Sequence, residues 1–204
     1  DRYLAAAHSA RIAALLVANK ADLEFAADVQ RELAAYTLAG YEQLLCSVPT
    51  GTGLQALQTR LRNQCAMLVG QSGVGKSSLL RALVPGCDAA IGELLRNDEG
   101  RHTTSVSCLH ALPDGGTLID SPGVRDFAPA LEQLDPRTLG FAEVAQYAPQ
   151  CRFADCAHLQ EPDCAVQQAV ATGAMSARRY ESYRRLHRLH KQLREIAPRG
   201  QRGR

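Results

Sequence analysis

No stretch of this 204-residue chain approaches the roughly 18 consecutive apolar residues that a membrane-spanning helix needs, so an α-helical span is excluded. No secretory signal is visible, and no segment repeats, which leaves solenoid and array architectures out. Neither sign of charge dominates, since 23 Lys and Arg face 21 Asp and Glu. Seven cysteines without a signal peptide point to a reducing, cytoplasmic compartment, with thiols free or metal-bound rather than paired in disulfides. What is present is ordinary: 46% hydrophobic and 22% charged residues, in a length that supports one core and a small appendage.

The charge is unevenly spread. Residues 176–204 carry ten Lys or Arg against two Glu, leaving thirteen basic against nineteen acidic residues elsewhere. A basic tail on an acidic body suits a polyanionic partner, and RNA is the expected one.

Ala13–Ala18 reads as a buried strand. Asp28–Leu38 has helical spacing, with Val29, Leu33, Tyr36 and Leu38 on its apolar side. Tyr41–Val48 reads as a strand, Gly53–Leu61 as a helix and Cys65–Val69 as a third strand. Lys76–Leu83 is helical and stopped by Pro85-Gly86. Thr104–Leu112 and Thr117–Ile119 read as strands joined by a tight turn over Pro113–Gly116. This alternation specifies an α/β class with a mostly parallel sheet. Beyond Asp126, Pro129, Pro136 and Pro149 punctuate short helical pieces. Ser176–Ile196 then reads as one long helix with Tyr180, Tyr183, Leu186, Leu189 and Leu193 at helical spacing. A boundary is expected near residue 130, dividing 1–130 from 131–204, and the Gly/Arg-rich end Pro198–Arg204 reads as disordered.

Gly70-Gln71-Ser72-Gly73-Val74-Gly75-Lys76-Ser77-Ser78 follows a strand and opens a helix, the context a phosphate loop requires. Its backbone N–H groups and the helix start face the phosphates, and the glycines let the chain curl closely. Lys76 is expected at the outer phosphates, and Ser77 at Mg²⁺. Asp120 ends an apolar strand and opens Asp120-Ser-Pro-Gly123, 44 residues beyond Lys76. Its carboxylate suits Mg²⁺ and the Gly123 N–H suits the γ-phosphate. Thr103 and Thr104 lie between these motifs. One of them is expected to cap Mg²⁺, and the sequence leaves open which.

Asn19-Lys20-Ala21-Asp22 ends the first strand. Asp22 can accept from both N1–H and the exocyclic amine of guanine, a donor edge that adenine lacks. Asn19 is expected to tie this segment to the phosphate loop, and the Lys20 stem to lie over the base. Cys46-Ser47-Val48 ends the next strand, where a backbone N–H can read the guanine oxygen, with Ser47 the candidate. Together these favour GTP and GDP over adenine nucleotides. Their order is rotated: the base motif precedes the phosphate loop, which precedes the magnesium motif. The fold class is therefore α/β, a circularly permuted P-loop GTPase with a small, mostly helical zinc-binding C-terminal domain.

That last domain rests on Cys151-x₄-Cys156-x-His158-x₅-Cys164, three thiols and an imidazole within 14 residues. The set suits a closed tetrahedral Zn²⁺ site of the structural kind. Four protein ligands leave no open position for catalysis.

The combination of Asn19–Asp22, the Gly70 loop, Arg101-His102-Thr103-Thr104, Asp120–Gly123 and the Cys/His cluster resembles the ribosome small-subunit-dependent GTPases, the RsgA family, over nearly the whole chain. The resemblance implies GTP hydrolysis stimulated by the small ribosomal subunit, binding to its rRNA, and a role in late maturation of that subunit. It also implies an RNA-binding OB-fold ahead of the GTPase domain. The chain opens at Asp1-Arg2-Tyr3-Leu4, similar to the start of the GTPase domain, so the OB-fold is expected outside it. No membrane association and a monomer are expected.

Many GTPases place Gln after Asp-x-x-Gly to orient water, whereas this chain has Val124, which cannot hydrogen-bond. Unaided hydrolysis should be slow, and the resemblance makes His102 the candidate replacement. The magnesium motif runs through Val124 to Phe127 into the zinc-binding segment, a short tether by which nucleotide state can reach it. Two competing readings are a stand-alone P-loop NTPase using the zinc module for its substrate, and an RNA-binding zinc module with a vestigial nucleotide site. Neither accounts for Asn19 and Asp22 together with Lys76, Ser77 and Asp120.

Overall fold

A computed structural model describes residues 1–25, 27–87, 108–120 and 134–196. In chain order the elements are α1 (Arg2–Ser9), β1 (Leu15–Asn19), α2 (Ala27–Leu38), β2 (Glu42–Cys46), α3 (Leu54–Leu61), β3 (Cys65–Leu68), α4 (Lys76–Leu83), β4 (Cys108–Ala111), β5 (Thr117–Asp120), α5 (Ala142–Tyr147), a 3₁₀ turn (Ala148–Gln150), α6 (Ala165–Ala171) and α7 (Ala177–Ile196). They fall into two compact units. One comprises Asp1–Leu15, Ala26–Glu42 and Phe127–Arg204, and the other Leu16–Phe25 and Gln43–Asp126.

The second of these carries the sheets. β1 pairs with β2, and β5 lies between β3 and β4. β3 runs parallel to β5 with Leu68 opposite Asp120, so Asp120 sits beside the strand end that enters the glycine-rich loop. β4 and β5 are antiparallel, Ala111 opposite Thr117. The Pro113–Gly116 turn joining them is too short for a parallel crossover, and Gly115 N–H closes it on the Leu112 carbonyl at 3.1 Å. Leu57 and Leu61 of α3, Leu79, Leu80 and Leu83 of α4, and Leu118 of β5 are buried. Each such leucine contributes about 1.5–3 kcal/mol of burial free energy.

The other unit is helical. Leu139, Phe141, Val144, Val166, Ala169, Met175, Tyr183 and Leu186 form its core together with Cys156 and Cys164. α5 and α6 are too short to persist without such packing. On α7, Tyr183, Leu186 and His190 are buried while Leu189 and Leu193 are exposed. Arg179, only 1% exposed, also points inward. Its Nε and Nη2 donate to the two Glu143 oxygens of α5 at 2.7 and 2.9 Å. Its guanidinium lies 5.3 Å from the ring centroids of Tyr36 and Tyr41 and 4.8 Å from that of Phe141. Asp1 Oδ1 accepts from Nη1 at 2.6 Å.

The periodic elements among the described residues lie where the sequence pattern put them, with two differences. α1 was not expected, because its fit depends on a distant contact: Leu4 and Ala5 are buried. α2 buries none of its residues fully, and Val29 and Leu38 are exposed. Tyr36 of that helix lies under the Arg179 guanidinium. The strand expected over Thr104–Leu112 is described only as β4, and the expected boundary near residue 130, the Pro198–Arg204 tail, and the start of the tether at Val124 and Phe127 lie outside the described residues. No helix among the described residues is long and apolar enough to cross a membrane.

Gly140 fixes how α1 meets this core. It has φ +75°, and a Cβ there would overlap the Ala5 carbonyl and Ser9 Oγ of α1. Gly140→Ala is expected to lower stability by about 1–3 kcal/mol, combining left-handed strain and displacement of α1. An unchanged thermal midpoint would show that α1 does not rest on this position.

Candidate functional site

Two loops distant in sequence are bonded to each other. Asn19 Nδ2 donates to the Val74 carbonyl at 3.0 Å, and Lys20 Nζ donates to the Gly73 carbonyl at 2.8 Å. Lys20 takes this position from a left-handed backbone, φ 66°. Gly75, at φ +93°, is demanded by the same contact, since a Cβ there would overlap Asn19 Nδ2. The Oδ1 of Asn19 is buried without a hydrogen-bond partner among the described residues, an acceptor that a bound group would satisfy.

The Asn19–Asp22 segment is also fastened to the end of β2. Ala21 N–H donates to the Cys46 carbonyl at 2.9 Å, and Ser47 Oγ donates to Asp22 Oδ1 at 2.6 Å. Asp22 is exposed, so its second oxygen remains open to a ligand edge. Ser47 has both its N–H and its hydroxyl engaged within the protein. Its N–H is engaged by the Thr52 carbonyl at 2.9 Å, so Ser47 acts through its hydroxyl on Asp22. The next N–H, that of Val48, makes no such bond among the described residues.

In the glycine-rich loop, Gly70, Gly73 and Gly75 all have positive φ. Lys76 Nζ crosses the loop to the carbonyls of Gly70 and Gln71 at 2.7 and 2.8 Å. Lys76 thus closes on its own loop. An ammonium resting on neutral carbonyls is readily transferred to an anionic oxygen. Ser77 and Ser78 are exposed in the first turn of α4, and among the described residues no side chain caps that helix start. Its N–H groups therefore present positive partial charge to the loop. Ser72 is exposed at the loop tip. The structure thus brings together Asn19, Lys20, Asp22 and Ser47 with Gly70, Gln71, Gly73, Val74, Gly75 and Lys76. Asp120 lies at the same sheet end through its Leu68 register. His102, Thr103, Thr104 and Gly123 lie outside the described residues.

The second candidate centre is in the helical unit. The ligand atoms of Cys151, Cys156, His158 and Cys164 all lie within 4.8 Å of one another. His158 Nδ1 is 3.4 Å from Cys151 Sγ and 3.5 Å from Cys164 Sγ, and those two sulfurs are 3.9 Å apart. Tetrahedral Zn²⁺ with ordinary bond lengths gives edges of roughly 3.5 Å between N and S and roughly 3.8 Å between sulfurs, so the four residues fit that ion. Burial pushes the Cys156 thiol up to about 12 and lowers the His158 imidazole, disfavouring charge in this pocket in the absence of a cation. Sequence reasoning missed what shapes the pocket. Glu161 accepts N–H bonds from Ala157, Leu159 and Gln160 at 3.0, 2.8 and 3.0 Å. Burial alone would raise its carboxyl, but these bonds more than offset that and hold it at about 2. Tyr180 Oη donates to the His158 carbonyl at 2.5 Å, and Tyr183 Oη to that of Ala157 at 3.0 Å. Both tyrosines were legible only as members of an apolar stripe.

A phosphate loop after β3, a base loop supplied by an earlier strand, and a helical segment with a Cys₃His cluster define a circularly permuted P-loop GTPase fold with a small metal-binding appendage. The RsgA GTPase family model matches residues 1–129, and the chain belongs to the RsgA GTPase family. It is 44% identical over 192 residues to the small ribosomal subunit biogenesis GTPase RsgA of Actinobacillus pleuropneumoniae serotype 5b (strain L20), covering 91% of this chain and 55% of that protein. It thus spans about half the length of the curated relatives it matches. The crystal structure of YjeQ from Thermotoga maritima is similar with a TM-score of 0.74 at 29% identity, over 93% of this chain and 64% of that one. That of YloQ, described as a circularly permuted GTPase, gives 0.69 at 25% identity, over 97% and 63%.

The contact of Asn19 with the loop yields a test. Gly75→Ala should weaken GDP binding in calorimetry by about tenfold or more, the scale of one hydrogen bond lost with its geometry. Unchanged affinity would show that Asn19 does not hold the loop in its binding form.

Proposed function

We propose that the protein hydrolyses GTP to GDP and phosphate as a cytoplasmic, monomeric factor in late maturation of the small ribosomal subunit, binding its rRNA. The observation that carries this reading is the bonded pair of loops, Asn19 to Val74 and Lys20 to Gly73, with Ser47 steadying Asp22. That arrangement offers a carboxylate for the guanine edge beside a cradle for phosphates. The names of the curated relatives support the ribosomal role.

In this reading Asp22 accepts from the guanine N1–H and amine, and the Val48 N–H meets the base oxygen. The Lys20 stem covers the base face on its way to Gly73. The N–H groups of residues 70–78 surround the phosphates, and Lys76 exchanges its loop carbonyls for phosphate oxygens. Ser77, Asp120 and one of Thr103 and Thr104 are the residues that would hold Mg²⁺, which would neutralise charge developing on the phosphates. Gly123 contributes its N–H at the γ-phosphate, and His102 orients the attacking water in place of a glutamine. Cys151, Cys156, His158 and Cys164 hold Zn²⁺ as a structural ion. Residues 1–130 carry the nucleotide chemistry and 131–204 the zinc module, whose exposed arginines face rRNA.

Turnover by the full-length protein should be slow alone and rise at least about tenfold with small ribosomal subunits, as transition-state groups supplied in trans do. ATP should not compete. His102→Ala should abolish most of the stimulated rate in single-turnover assays while leaving GDP affinity intact. A stimulated rate equal to wild type removes His102 from the mechanism, and the absence of stimulation removes the ribosomal assignment. The zinc assignment predicts one Zn²⁺ per chain by elemental analysis, with a chelator lowering the thermal midpoint of the purified protein. A metal-free protein with the same midpoint would refute it.

A further inference from the structure

We propose, on the zinc reading above, that Tyr180 is a positioning residue for the metal ligand His158, and that through it a bound metal ion and α7 order one another.

His158 presents its imidazole from a backbone that a residue with a Cβ adopts at a cost. It is left-handed, with φ 59°. From there Nδ1 stands 3.4 Å from Cys151 Sγ and 3.5 Å from Cys164 Sγ. Rotation of this backbone would swing the ring off both sulfurs, so the peptide planes on either side must be held.

Both planes are held, and α7 takes part in each. The plane between His158 and Leu159 is gripped at its two ends. Its carbonyl accepts from Tyr180 Oη at 2.5 Å, and its N–H donates to Glu161 Oε2 at 2.8 Å. The plane between Ala157 and His158 has its carbonyl bonded by Tyr183 Oη at 3.0 Å. Peptide planes are rigid, so tethering the pair largely sets φ and ψ of the residue between them.

Tyr180 and Tyr183 stand three residues apart on α7, which places them on one face. Their rings stack at 14° with centroids 6.3 Å apart, and buried Tyr183 meets Phe141 edge-on at 5.7 Å. The two hydroxyls are therefore carried by a packed pair that follows the helix. Tyr183 Oη also bonds the Arg137 carbonyl at 2.9 Å, so its loss would disturb a second segment. Tyr180 isolates the effect on His158. Whatever favours this His158 geometry favours the metal, and by reciprocity a bound metal favours the tyrosine contacts. The helix so steadied carries the exposed Arg184, Arg185 and Arg188.

The experiment titrates Co²⁺, then Zn²⁺, into metal-stripped full-length protein with a chromophoric chelator in competition. Tyr180→Phe removes one oxygen and keeps the ring stack. It should weaken Zn²⁺ binding about tenfold, the lower end of what groups supporting a metal ligand contribute, and shift the Co²⁺ d–d bands. Leu186→Ala removes buried apolar surface from the same helix and no hydrogen bond. It should lower the thermal midpoint and leave the Co²⁺ bands in place. Wild-type Zn²⁺ affinity in Tyr180→Phe, or a weaker affinity with unmoved bands, overturns the inference and leaves the zinc reading standing. A wild type that binds neither ion overturns both. If Tyr180→Phe does not fold, amide exchange on wild type decides. Zn²⁺ should slow exchange in residues 177–183 more than in α5, and an equal effect on the two helices refutes the coupling.

Discussion

A single side-chain amide, Asn19 to the Val74 carbonyl, joins the segment that can recognise a base to the loop that can hold phosphates. Its net energy is only about 1 kcal/mol. Its importance is geometric, because these segments are far apart in sequence and a nucleotide site needs them in register. The approach is close enough that residue 75 must lack a Cβ, and α4 starts at the next residue. One glycine therefore serves a helix start and an interloop contact together. Lys20 and Ser47 complete the frame, one reaching Gly73 and the other steadying Asp22.

The helical unit follows a different logic. Its helices α1, α5 and α6 are short, and its core includes two sulfurs of the Cys/His cluster. A core of that size would gain from a cation that linked four points of the chain. The left-handed backbones at His158 and Asp163 show that the loop accepts local strain to present its ligands. Glu161 and the two tyrosines of α7 satisfy the polar backbone groups that this shape exposes.

The nucleotide loops were legible because phosphate binding imposes glycines at fixed spacing between a strand and a helix. The Cys/His set was legible for a similar reason, its short spacings leaving few other uses. Long periodic elements such as α4 and α7 followed from their leucines and tyrosines. Three things were hidden. α1 is specified by a contact with Gly140, more than a hundred residues away. Ser47 has both a hydroxyl and an N–H, and sequence does not say which is spent internally. Arg178 and Arg179 counted toward a basic tail, yet Asp1, Glu32 and Glu143 neutralise them. Charge counting cannot separate a guanidinium caged by rings from one in water, so the free positive face of α7 is smaller than its composition suggested. Arg184, Arg185 and Arg188 further share Glu181.

The carboxylate of Glu161 has a consequence for metal uptake. Three main-chain amides converge on it, so the 157–161 turn is moulded around an internal anion. The thiols and imidazole are then arrayed by the polypeptide itself. A metal ion bound there would meet ligands already gathered within 4.8 Å of one another, and little of its binding free energy would go into ordering the chain.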